Sequence, residues 1–156
     1  PVQTANQLTG NVDLTLYVST HLSGALGLRH ESLYRKEGGE RYASATIPRV
    51  RAQYQFNKAL FLRTIVEYGA QESGKLVDPV TGQELFYCGD EACLLRDGSA
   101  SNNLSFEVLG SYEPSPGTVF YLGYSRAMTD ASAFGFDQIT AQRDGLFAKL
   151  SYRFRF

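Results

Sequence analysis

Several residue types and patterns are scarce in this 156-residue chain, and each shortage excludes a class of protein. No apolar run approaches the ~18 residues that a transmembrane helix requires, so insertion into a membrane as helices is excluded. The formal net charge of −1 gives no overall attraction to nucleic acid or to acidic lipid. With 43% hydrophobic residues, a soluble all-β protein and a membrane β-barrel remain.

Groups that carry catalysis or hold cofactors are equally few. Only His21 and His30 could serve as a general base, and no serine lies in a G-x-S-x-G turn. Phosphate-binding glycine loops and metal-spaced His/Cys clusters are absent from the sequence, and the cations are not gathered among stacking aromatics. We therefore predict no enzymatic activity, no metal, no cofactor and no nucleic-acid partner. A hydrolase built into a barrel is retained as an alternative.

The two cysteines, Cys88 and Cys93, lie close together in "FYCGDEACLL". No second Cys/His pair accompanies them, so the spacing favours a small disulfide over half a zinc site. A disulfide here indicates an oxidising compartment. The start "PVQTANQLTG" has neither a basic nor an apolar region of a signal peptide. We interpret this as a signal already removed or as part of a longer chain.

What the chain does have is alternation of apolar and polar residues, most regular in its last eleven, "LFAKLSYRFRF". Side chains of a strand point alternately to opposite faces, so this segment predicts a strand with one apolar and one largely cationic face. Similar alternation predicts strands around 11–20, 49–56, 60–69 and 104–113, with less regular strands at 24–35 and 118–128. We count seven strands and no helix.

The predicted connections alternate in length. Tight turns are expected at 21–24, 57–59 and 113–117, and long polar links at 36–43, about 73–101 and about 129–142. Short turns at one end and long loops at the other are typical of outer-membrane barrels, with periplasmic turns and extracellular loops. The sequence therefore predicts an antiparallel transmembrane β-barrel.

Seven is an odd number, whereas single-chain bacterial barrels have an even number of strands. The simplest interpretation makes residues 1–10 an extracellular loop and 11–156 the C-terminal part of a larger barrel, completed by upstream strands or a companion chain. A weak eighth strand at 1–9 is the alternative. Tyr68, Tyr112 and Tyr152 lie near the ends of apolar stripes, where a ring can rest at the lipid–water boundary.

In a barrel, the polar side of the strands lines the lumen. Charged residues on this side are the predicted lumen-lining set. They are Arg49, Arg51, Arg63, Glu67, Glu107, Lys149, Arg153 and Arg155.

The C-terminal pattern, with Leu150, Tyr152, Phe154 and Phe156 at every second position, resembles the insertion signal of bacterial outer-membrane proteins. This resemblance implies that the barrel assembly machinery recognises the chain during biogenesis. A narrower resemblance is carried by "YQFNKALFLR", "SYEPSPGTVFYLGYS" and the last strand. These segments resemble closing hairpins of a family in which a carbohydrate-binding (family 9-like) domain precedes a large barrel.

The sequence thus predicts a component of the outer membrane of a Gram-negative-type bacterium, porin-like, in contact with lipid, with a structural or transport role. One alternative is a membrane-anchored module that binds glycan or protein through the 73–101 loop or a companion domain. A second alternative is a soluble or secreted β-sheet protein that buries its apolar stripes in an assembly.

Overall fold

A computed structural model of the chain describes residues 5–36, 38–75, 77–78, 81–88, 93–95 and 97–153. Seven long strands form one antiparallel sheet and two short strands form a separate hairpin. Over these residues no helix is long and apolar enough to cross a membrane. The strands are β1 (Ala5–Tyr17), β2 (Leu22–Arg35), β3 (Arg41–Gln55), β4 (Leu60–Ser73), β5 (Phe86–Cys88), β6 (Cys93–Leu95), β7 (Ser99–Ser115), β8 (Thr118–Asp130) and β9 (Thr140–Tyr152).

The order across the large sheet follows the chain, β1-β2-β3-β4-β7-β8-β9, and every pair is antiparallel. The prediction of an all-β fold with seven antiparallel strands is therefore confirmed. Over the described residues, β1 pairs only with β2, β9 pairs only with β8, and no contact joins β1 to β9. The sheet is open, with two unpaired edges.

Five of the seven long strands, among them β1 and β3, begin earlier than the sequence indicates. β1 starts at Ala5, so Ala5–Gly10 lengthens the first strand instead of forming a loop or a separate strand. β3 starts at Arg41, although Pro48 lies inside it. Proline has no N–H for the ladder, and the pairing of β3 with β4 is interrupted between Thr46 and Arg49 for that reason.

The connections alternate in length as predicted, although longer strands shorten the long ones. The short turns are 18–21, 56–59 and 116–117, and the long links are 36–40, 74–98 and 131–139. In the turn before β4, Asn57 Oδ1 accepts hydrogen bonds from the backbone N–H groups of Ala59 and Leu60, at 2.8 and 2.9 Å. Gly117 has a φ of 93°, which the tight turn before β8 requires.

The register is staggered regularly. We call the residues that form the last hydrogen bond before a short turn its closing residues: Val18 and Leu22 for the first turn, and Phe56 and Leu60 for the second. Leu22 pairs with Tyr54, which lies two residues before Phe56. Leu60 pairs with Tyr112, which pairs with Phe120 on β8. Phe120 lies two residues after Thr118, the residue that closes the third short turn. Each short turn is therefore displaced by two residues, along the strand direction, from the short turn two strands before it. The stagger is thus one residue per strand. With a rise of about 3.4 Å per residue and about 4.8 Å between strands, this stagger tilts the strands by roughly 35° from the normal to the plane that contains the short turns.

Gly98 marks the point where the 74–98 link returns to the sheet beside the end of β4. A Cβ added to Gly98 would lie 2.6 Å from the Ser73 carbonyl oxygen and 3.4 Å from the Gly74 backbone. Backbone atoms cannot rotate away, so Gly98→Ala is expected to lower the free energy of unfolding by about 1–3 kcal/mol.

The matched control for that substitution is Gly10→Ala, because a Cβ on Gly10 would meet nothing within 4 Å. Chemical denaturation of both variants under the same conditions measures the difference. Equal midpoints for the two variants would show that the link does not approach β4 in this way.

Candidate functional site

One face of the large sheet is polar, and it holds the charged residues that the sequence singles out. Arg49 is directly opposite Glu67, and Arg51 and Glu107 flank Ile65 in one row across β3, β4 and β7. The register brings six predicted lumen residues to this one polar face. They are Arg49, Arg51, Arg63, Glu67, Glu107 and Lys149.

The two remaining members of the predicted lumen set are Arg153 and Arg155. Arg153 follows β9, and its backbone N–H donates to the Gly117 carbonyl at 2.8 Å, which continues the ladder. Arg155 lies outside the described residues.

Ion pairs cross part of the polar face. Arg49 Nη1 lies 3.6 Å from Glu67 Oε2, and Arg29 Nη2 lies 3.5 Å from Glu31 Oε2. Arg49 and Glu67 are about half exposed, so their pair contributes only about 0–1 kcal/mol to stability. Arg51 donates to Gln53 Oε1 at 3.4 Å. These groups therefore shape the electrostatic field over this face more than they hold the sheet together.

The polar face is also the hollow side of the sheet. A cavity of about 410 Å³ is lined by Asp13, Arg29, Arg49 and Glu67. Near the long-link end, a cavity of about 670 Å³ is lined mainly by amide and hydroxyl groups, among them Asn103 and Thr129. Both openings have charged or neutral polar walls suited to water and small polar solutes.

The opposite face carries a continuous band without any charged side chain. Along each strand the band is four side chains tall, counted from the short turn. Its members are Val12, Leu14, Leu16 and Val18; Leu22, Gly24, Leu26 and Leu28; Val50, Ala52, Tyr54 and Phe56; Leu60, Leu62, Thr64 and Val66; Phe106, Val108, Gly110 and Tyr112; Thr118, Phe120, Leu122 and Tyr124; and Leu146, Ala148, Leu150 and Tyr152.

This apolar band is exposed. Leu122 is 60% exposed, Leu146 76% and Val12 65%. Over the described residues only Ala70 and Ala133 are buried hydrophobic residues, so no second layer forms a core with the band. A soluble monomer rarely exposes an apolar patch of more than a few hundred Å². The band therefore requires lipid or another protein to cover it.

On two strands the band is followed directly by a charged residue, Arg126 on β8 and Asp144 on β9. On β1, β3, β4 and β7 uncharged residues continue on this face beyond the fourth position, namely Gly10, Pro48, Tyr68 and Leu104. Arg126 lies eight residues after Thr118, and Tyr68 lies eight residues after Leu60. Arg126 Nε lies 3.6 Å from Asp144 Oδ1 on the neighbouring strand. Eight residues at a tilt of roughly 35° correspond to a height of about 22 Å.

Aromatic rings flank the band at both ends. At the short-turn end, Tyr54 and Phe56 meet edge to face with centroids 4.8 Å apart, and Tyr112 stacks on Phe120 at 6.5 Å. At the other end, Tyr68 contacts Phe136 at 5.2 Å and Phe134 at 6.5 Å, both from the 131–139 link.

Sequence reasoning identified Tyr68, Tyr112 and Tyr152 at the ends of the stripes but missed Phe134 and Phe136. The signal was the composition of the link. The stretch "ASAFGFDQI" (131–139) contains one charged residue, which is unusual for an exposed loop.

His30 belongs to a small polar cluster on the apolar side, just above the band. Its Nδ1 lies 2.9 Å from Thr46 Oγ1 and its Nε2 lies 2.9 Å from Ser32 Oγ. Ser32 is 1% exposed, and no carboxylate takes the second ring nitrogen. A buried hydroxyl without an acid partner for its histidine is poorly placed for nucleophilic attack.

The terminal aromatic pattern is described only in part. Leu150 and Tyr152 lie on the apolar face of β9, opposite Phe120 and Thr118 of β8. Phe154 and Phe156 lie outside the described residues.

The 74–98 link contains the hairpin of β5 and β6, which the sequence did not predict. Cys88 and Cys93 pair directly across this hairpin, while their side chains lie outside the described part. At the base of the link, Lys75 Nζ lies 2.8 Å from Glu84 Oε1 and 3.5 Å from Asp97 Oδ1. The hydrogen bond from Lys75 to Glu84 raises the pKa of the Lys75 ammonium.

Metal chemistry finds no support in the described residues, since no group of three or more His, Cys, Asp or Glu could hold an ion there.

Comparisons with protein-family models, curated proteins and solved structures gave no match for this chain. The resemblance to barrels that follow a carbohydrate-binding domain therefore stays a prediction.

Proposed function

We propose that the chain is a component of an outer-membrane β-barrel, with its apolar band against lipid and its polar face lining a charged, water-filled lumen. Its role is structural or in transport. In this proposal the short turns face the periplasm and the long links face outward. The partners are outer-membrane lipid, the assembly machinery for barrels during biogenesis, and further strands that close the sheet.

The observation that carries the proposal is the height of the uncharged band. It extends about 22 Å from the short turns to the first charged residues, Arg126 and Asp144, which is close to the ≈25 Å apolar band of outer-membrane barrels, and it has aromatic rings at both ends. A tilt of roughly 35° is within the range that closed barrels require. The Arg126–Asp144 pair falls at the edge of the band and not within it, because the strands are tilted.

A soluble assembly is the competing explanation for the band. There, a second protein sheet would cover it, and the segregation of short and long connections would not be needed. The hollow, charged opposite face also favours a lumen, since cavities lined by Asp13, Arg49 and Glu67 need water or paired charge around them.

The test uses two adjacent residues of β8 that point to opposite faces. Tyr121 lies on the polar face opposite Lys149, and Leu122 lies in the middle of the band opposite Ala148. This sequence contains no tryptophan, so Tyr121→Trp and Leu122→Trp each add one fluorescent reporter to it, which is measured as the difference from the unsubstituted barrel. Both variants are prepared in the barrel isolated from membranes and reconstituted in vesicles.

We expect lipids brominated deep in the acyl chain to quench the reporter at 122 and not the one at 121. Aqueous acrylamide should quench the reporter at 121 more strongly. If a protein surface covers the band, brominated lipid will leave both reporters unchanged, and the proposal fails.

A further inference from the structure

The link 131–139 does not extend away from the sheet but folds onto its apolar side. Asn102 Nδ2 donates to the carbonyl oxygens of Ser132 and Gly135, at 2.8 and 2.6 Å, and the Tyr68 hydroxyl donates to the Ala133 carbonyl at 2.5 Å. Asn102 and Tyr68 share the face of the band, because both are in line with its residues on β7 and β4. The link is therefore fixed just above the band.

The contacts within the link are as specific as those to the sheet. Asp130 accepts hydrogen bonds from the backbone N–H groups of Ser132 and Gln138, at 3.0 and 3.1 Å, which closes the link at its base. Asn102 is 2% exposed and Ala133 5% exposed, so the attachment point is buried. A buried amide with two acceptors holds the backbone of the link in one position.

This support leaves two rings facing outward. Phe134 and Phe136 are 62% and 59% exposed, although both contact Tyr68. Over the described residues, no other part of the chain covers the exposed sides of the two rings. They lie beside Tyr68, which is eight residues, or about 22 Å, from the short turn before β4, and the segment contributes only Asp137 as a charge.

We propose that 131–139 is an interfacial anchor, in which Phe134 and Phe136 enter the boundary region of the bilayer beside the barrel. This inference rests on the proposed function, since it needs lipid against the band. The occupant is lipid because the rings continue the apolar band without a charged gap and because aromatic side chains favour this depth.

Single-tryptophan reporters test the anchor by depth. Phe136→Trp and Phe134→Trp are compared with Leu122→Trp in vesicles whose lipids carry bromine either near the headgroup or deep in the acyl chain. We expect the reporters at 134 and 136 to lose most intensity to shallow bromine, and the reporter at 122 to lose most to deep bromine.

Asn102→Ala, combined with Phe136→Trp, tests whether Asn102 positions the link. Loss of both hydrogen bonds to Ser132 and Gly135 should shift the emission to longer wavelength and increase quenching by aqueous iodide. The second reporter, Phe134→Trp, should respond in the same direction, whereas Leu122→Trp should not change.

The outcomes separate the two proposals. If the reporter at 122 is quenched by lipid but those at 134 and 136 respond only to iodide, the anchor is refuted and the barrel stands. If a protein partner covers the link, neither bromine nor iodide will reach 134 and 136, and the anchor is again refuted. If the reporter at 122 is not quenched by lipid, the barrel itself fails and the anchor with it.

Discussion

Leu122→Arg is expected to destabilise the lipid-embedded protein by about 2–4 kcal/mol, the cost of an arginine at the middle of the lipid face of a barrel. Leu122 is 60% exposed in the sheet, so the larger side chain creates no clash with protein. The whole effect comes from placing a guanidinium in hydrocarbon. The shift in the midpoint of urea unfolding in lipid vesicles measures it.

The control substitution is made at the neighbouring residue, whose side chain lies on the opposite face of the sheet. Tyr121→Arg introduces the same charge on the polar face, near Lys149, where water reaches it. We expect a change of less than about 1 kcal/mol there, since exposed charges interact weakly across water. A depth series strengthens the comparison, because Tyr124→Arg, one step nearer the end of the band, should cost less than Leu122→Arg.

The opposite result would be informative. If Leu122→Arg were neutral, or raised the yield of protein that purifies without detergent, the band would not face lipid. Equal losses from Leu122→Arg and Tyr121→Arg would show that both faces of β8 are packed against protein.

Alternation in the sequence was sufficient to predict the two faces of the sheet. Leu60, Leu62 and Val66 recur at every second position, and one face follows from that period without knowledge of any partner strand. The six polar-face residues from Arg49 to Lys149 could be assigned for the same reason. Each strand separately determines on which side its charges lie.

Register and loop conformation could not be predicted in the same way. The stagger of two residues per hairpin appears only when Leu22, Phe56 and Thr118 are placed against their partners, and it explains why Arg126 lies at the edge of the band. The fold of 131–139 depends on Asn102, about thirty positions away in the chain. Local sequence contains no information about such a distant hydrogen bond.

The second large expected effect concerns the backbone N–H groups at the two open edges of the sheet. Val18 N–H points to β2 and Arg153 N–H points to β8, so the alternate N–H groups of β1 and β9 point to the open edges. On β9 these belong to Leu146, Ala148 and Leu150. In lipid, each unpaired N–H would cost several kcal/mol, so we infer that another strand accepts these bonds.

The direction of the edges restricts what can pair with them. β1 runs toward the first short turn, and β9 also runs toward the short-turn end, so the two edges are parallel to each other. An antiparallel closure therefore requires an odd number of additional strands. A second copy with the same orientation would place β9 beside β1 in parallel, which an all-antiparallel barrel does not allow.

Amide hydrogen exchange in the barrel isolated from membranes should therefore be slow at every residue from Leu146 to Leu150. Phe147 and Lys149, whose N–H groups point to β8, are the internal reference for paired amides. If β9 is a free edge, Leu146, Ala148 and Leu150 will exchange quickly while Phe147 and Lys149 remain slow. That alternating pattern would contradict closure of the sheet, whereas uniform protection would support it. An intact mass above 17.3 kDa would then place the additional strands in the same polypeptide, and a companion polypeptide would place them in a second chain.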